Sequence, residues 1–75
     1  MQPYANLSGD SGINAYDIAP DAIVVRYTNG WHYAFTTAST GAWHVAEMQR
    51  LATAGAGLSA YIARHAYGTH ARKWR

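Results

Sequence analysis

The sequence predicts an α+β domain: a three-stranded antiparallel β-meander followed by two α-helices packed on one face. Three observations carry that expectation. Between residues 22 and 35, two runs rich in β-branched and aromatic residues flank the pair Asn29-Gly30, a strong hairpin signal. Val45, Met48, Leu51 and Ala52 recur at helical spacing. The run Gly55-Ala56-Gly57 then breaks that helix, and a second stripe of Leu58, Tyr61, Ile62 and His65 follows.

Residues 1–11, rich in Ser, Gly, Asn and Asp, have no periodicity and read as a flexible arm. Ile13–Ile18 reads as the first strand, and Ala19-Pro20-Asp21 as the connection to the second, because proline fixes φ and lacks a donor. With a two-residue turn at Asn29-Gly30, Thr28 opposes Trp31, Tyr27 opposes His32, Arg26 opposes Tyr33, Val25 opposes Ala34 and Val24 opposes Phe35. Alternation then puts Ile23, Val25, Tyr27, His32 and Ala34 on a buried face, and Val24, Arg26, Thr28, Trp31, Tyr33 and Phe35 on an aromatic one. A slip of one residue, or a bulge, exchanges these faces.

Thr36–Gly41 is rich in cap and turn formers, with Ser39 or Thr40 as the expected N-cap of a helix over about residues 41–54. Trp43, Glu47 and Arg50 fall opposite its apolar stripe; a sheet edge or loop is the favoured setting for such a tryptophan, ahead of an exposed contact point. The second helix runs over about residues 58–66 and stops before Gly68. The packed domain is therefore expected over residues 12–68, with a basic tail at 69–75 whose order the sequence leaves open.

Seventy-five residues make one domain, and a chain this short buries only about 60% of its unfolded surface. No cysteine is present to staple it, so its three Trp, six Tyr and one Phe supply the large buried areas. No stretch has the length and apolarity of a membrane span, and the start lacks the basic and apolar regions of a signal peptide. A cytoplasmic location with no membrane partner is the expectation.

The net charge of +2 is unevenly spread. Through residue 47 a single cation, Arg26, faces four acids, a net −3; from residue 48 on there are five cations and no acid, a net +5. Such an asymmetry is either a surface for an anionic partner or a solvated basic face. No nucleotide-binding glycine motif, paired carboxylates or nucleophile elbow occurs. His65 and His70 are separated by four residues, Gly68 among them, without further ligands nearby in sequence, so no metal and no cofactor are expected, nor enzyme activity.

Aromatic rings on an open sheet with cations alongside suit single-stranded RNA, by base stacking and phosphate pairing. The candidate nucleic-acid-binding residues are Arg26, Trp31, Tyr33, Phe35, Arg64, Arg72, Lys73 and Arg75. The plainer reading of the same face, as the surface packed under the helices, also fits.

Tyr27-Thr28-Asn29-Gly30-Trp31-His32-Tyr33-Ala34-Phe35 resembles the centre of the KTSC domain. This small domain is named for the C-terminus of some lysyl-tRNA synthetases and also stands alone in bacterial proteins. Its Tyr-x-Tyr motif after a glycine turn stands here as Tyr33-Ala34-Phe35, without the second hydroxyl. Ile23-Val24-Val25, Val45 and Gly55–Ile62 match its strand and helices, so the likeness covers about residues 11–66. The resemblance implies a small α+β fold and RNA or tRNA as partner. A protein-interaction or homo-oligomerisation module, with a second copy or another protein on the aromatic face, is the alternative.

Overall fold

The computed structural model describes residues 1–75. Five strands form one antiparallel sheet in sequence order: β1 (Gln2–Pro3), β2 (Ile13–Ala19), β3 (Ala22–Tyr27), β4 (His32–Thr36) and β5 (Arg72–Trp74). Three helices lie between β4 and β5: α1 (Thr37–Thr40), α2 (Ala42–Ala54) and α3 (Leu58–Tyr61), the last running on as a π-helical segment, Ile62–Ala66. The α+β class and the central hairpin are as the sequence predicts; the sheet gains a strand at each edge.

The hairpin loop has three residues, not two. Tyr27 N–H donates to the Trp31 carbonyl (2.8 Å) and Gly30 N–H to that of Tyr27 (3.0 Å). Gly30 is left-handed (φ +92°), while Asn29 stays at negative φ and accepts the Trp31 N–H on its Oδ1 (3.0 Å). A single left-handed glycine closes a three-residue loop, whereas a two-residue type I′ turn needs both central residues at positive φ. The extra residue moves the register by one. Arg26 now opposes His32, Val25 opposes Tyr33, and Ile23 opposes Phe35.

That shift turns β4 over. Phe35 and Tyr33 join Ile23 and Val25 on the face beneath the helices, and His32 and Ala34 move to the other face with Val24 and Arg26. Phe35 is 2% exposed and packs in one core with Ile23, Val25, Val45, Met48, Leu58 and Ile62. The opposite face contributes nothing to that core.

Both termini are docked. Pro3 opposes Ala15, and Tyr4, 6% exposed, enters the core, where its hydroxyl accepts the Leu58 N–H (3.3 Å). Leu7 N–H donates to the Gly55 carbonyl (2.8 Å). One buried aromatic thus anchors the segment that its polar composition marks as a loose arm. At the other end, Ala71 N–H donates to the Ala34 carbonyl (2.8 Å), and Arg72, Lys73 and Trp74 oppose Ala34, Tyr33 and His32. The basic tail is therefore an edge strand, and it pairs the outer side of β4.

The helix start also differs from expectation. Thr36 caps α1, its hydroxyl accepting Ser39 N–H (3.1 Å) while the Ser39 hydroxyl accepts Thr36 N–H (3.1 Å), a reciprocal capping box. Gly41 (φ +103°) separates α1 from α2. Trp43 sits in the first turn of α2 and is 76% exposed, not on a sheet edge or loop. No helix is long and apolar enough to cross a membrane.

Candidate nucleic-acid interface

β5 organises the candidate site, because alternation along this short strand sends its side chains to both sides of the sheet. Arg72 and Trp74 face the side away from the helices, opposite Ala34 and His32. There the His32 ring stacks on Trp74 with centroids 5.2 Å apart and planes 10° from parallel, and the Arg72 guanidinium lies 4.9 Å from the Trp74 ring centre. Arg26 shares this side, its Nε donating to Asn14 Oδ1 (3.0 Å). His32 Nδ1 is the one buried side-chain polar atom without a protein partner.

Lys73 faces the helix side, opposite Tyr33. Beyond the helices, at the hairpin end, Trp31 carries two cations: Lys73 Nζ at 5.4 Å and the Arg75 guanidinium at 5.5 Å from its ring centre. Arg75 also donates to the Asn29 carbonyl (3.1 Å), which ties the chain end to the hairpin loop. Cation–π contacts of this kind are worth about 0.5–1 kcal/mol each when exposed, so they orient the cations without neutralising them. Neither Lys73 nor Arg75 has an acidic partner.

Next to Trp31 the helix side of the sheet opens into a recess of about 440 Å³ between the hairpin loop and the end of the π-helical segment. Its floor is apolar, with Phe35, Ile62 and Ala66 buried. Its walls are the half-buried rings of Tyr27, Tyr33 and His70. Tyr33 meets Tyr27 edge-to-face at 5.4 Å and His70 at 5.0 Å. Burial, and then the neighbouring Tyr33, push the Tyr27 hydroxyl above its ordinary value of 10.0, so it stays protonated at neutral pH. The exposed rim holds Tyr67, Asn29 and Lys73.

The structure therefore gathers Trp31, Tyr33, Lys73 and Arg75 at one end of the sheet, and sets Arg26 and Arg72 on the other face. Phe35 lies in the floor as core and offers no open stacking face. Arg64 is exposed on the π-helical segment and makes no ion pair or hydrogen bond. Trp74, His32, Tyr27 and His70 join the site unforeseen; alternation of cation and aromatic in Arg72-Lys73-Trp74-Arg75 was the one available signal for Trp74.

No group of three or more His, Cys, Asp or Glu side chains converges on a point where they would hold a metal ion. His44 Nδ1 instead shares a 2.6 Å hydrogen bond with the Tyr61 hydroxyl, and its ring stacks on His65 at 5.7 Å, so those histidines serve helix–helix packing. Comparison with protein-family models, with curated proteins and with solved structures returns no match.

Proposed function

We propose that this chain is a small, non-enzymatic cytoplasmic module, akin to the KTSC domain, that binds single-stranded RNA at the β4–β5 end of its sheet. The observation that carries this reading is Trp31 flanked by Lys73 and Arg75 at 5.4 and 5.5 Å. An aromatic ring with two unneutralised cations held over it brings together the two needs of single-strand binding: a ring on which a base stacks as it displaces a cation, and charge for the flanking phosphates. Arg72 over Trp74 at the sheet edge, with Arg26 on the same face of the central strand, adds phosphate contacts across that face. Single-stranded loops and ends of tRNA fall within the same ligand class.

The test is a titration of tryptophan fluorescence with an eight-residue oligouridylate at two salt concentrations. Saturable quenching that weakens as salt rises is expected. An absence of binding at the lower salt rejects the reading.

A further inference from the structure

We propose that the recess beside Trp31 is a nucleotide site, taking the base and sugar of one nucleoside monophosphate unit with its phosphate at Lys73. The unit is either free or one residue of a single strand, and for the strand-borne ligand the inference rests on the RNA reading above.

Four properties select this chemistry. The volume, about 440 Å³, falls at the low end of the range for small-ligand sites, roughly 300–1,000 Å³. The walls are the rings of Tyr27, Tyr33 and His70, set edge-to-face, which gives a planar ligand both π faces and positive ring edges to pack against. The Tyr27 and Tyr33 hydroxyls, the His70 ring nitrogens and Lys73 Nζ make no hydrogen bond within the protein, and none of them is an orphaned buried atom. They are therefore free to serve a ligand. No carboxylate lines the recess.

The side chains available are thus donors and rings, with one cation at the exposed rim above an apolar floor. A nucleobase presents acceptors and a flat ring, its sugar a linker, and its phosphate negative charge for the rim. A cationic ligand finds no counter-charge there. Arg75, on the same tryptophan as Lys73, lies on the path of an adjoining phosphate, so a strand threads from the recess over Trp31.

The experiment is an amide NMR titration of the full chain with uridine and adenosine 5′-monophosphates, with inorganic phosphate as the matched control, followed by competition with octauridylate. Saturable shifts are expected at Tyr33, Gly68, His70 and Lys73 with the nucleotides and not with phosphate. His70→Ala and Tyr67→Ala, the latter at a residue that is 85% exposed and so leaves the core untouched, each weaken nucleotide binding by about tenfold, the scale of one lost stacking contact. If RNA binds, while the nucleotides leave the recess unshifted and both variants bind RNA like wild type, the recess inference is overturned and the RNA reading stands. Nucleotide binding without RNA binding upholds the recess as a free-nucleotide site and removes the RNA reading. Equal shifts from phosphate alone overturn base recognition, and an absence of binding by either ligand overturns both.

Discussion

Neutralising β5 separates charge from stacking. Each phosphate contact on a single strand contributes roughly −0.7 to the slope of log affinity against log salt. Arg72, Lys73 and Arg75 are all exposed and free of acidic partners, so together they carry a slope of up to about −2. Across a fourfold rise in salt, from about 50 to 200 mM, that slope alone weakens binding by about 20-fold. The triple variant R72Q/K73Q/R75Q keeps the backbone pairing of β5 and removes this component, leaving a shallow residual slope from Arg26. Trp31→Ala does the opposite: it costs about 1–3 kcal/mol at either salt, the loss of one stacked base, and leaves the slope close to wild type. Fluorescence anisotropy of a labelled octauridylate at the two salt concentrations measures both quantities, with the amide spectrum of each variant as the check on folding. A triple variant with the wild-type slope, or a wild-type affinity indifferent to salt, refutes the assignment of phosphate contacts to β5.

Three further predictions concern the frame that holds the site. Gly30→Val forces a β-branched residue to φ +92° although its Cβ meets nothing within 4 Å; a conformational cost of about 1–2 kcal/mol lowers the melting temperature by roughly 4–16 °C, and a change under one degree contradicts the left-handed loop. Gly55→Ala is more damaging than Gly68→Ala, since both are left-handed but only the Gly55 Cβ would fall 2.7 Å from the Cβ of Ala5; equal melting temperatures for the two contradict the docking of residues 1–7. The Tyr27 hydroxyl is raised by burial and by Tyr33, so above pH 10 the folded state binds more protons than the unfolded one and stability falls as pH rises. Thermal melts from pH 9 to 11.5 are expected to decline less steeply for Tyr27→Phe than for wild type, and parallel declines reject the burial of that hydroxyl.

The readable parts of this sequence were those whose signal is local. Asn29-Gly30 announced a turn, and Val45, Met48 and Ala52 announced a helix face, because each rests on residues within one or two turns of one another. Register was not readable in the same way. Asn29-Gly30 suits a two-residue loop with both residues left-handed, or a three-residue loop with Gly30 alone left-handed; the protein has the second, in which the Asn29 side chain accepts Trp31 N–H. Loop length decides whether Phe35 is a binding surface or core, and burying Phe35 with Ile23 and Val25 favours the three-residue form. The edge strands were invisible for another reason: Gln2–Pro3 and Arg72–Trp74 are too short and polar to show alternation, and they form because β2 and β4 offer them partners. The charge of Arg72, Lys73 and Arg75 was plain from composition, whereas the placing of Lys73 and Arg75 on Trp31, and of Arg72 on Trp74 across the sheet, depended on a strand the sequence did not announce.

The sheet order β1-β2-β3-β4-β5 has a practical consequence. Because strand order follows chain order, the two chain ends occupy opposite margins of the sheet, separated by four strand spacings, or about 19 Å at ~4.8 Å each. A purification tag, fluorophore or surface anchor joined to Met1 therefore sits across the sheet from Trp31. The same attachment at Arg75 abuts it and adds its own charge and bulk to whatever binding is measured. Immobilisation through the first residue leaves the hairpin end facing solution, and a comparison of the two attachments reports how near that end the ligand lies before any side chain is changed.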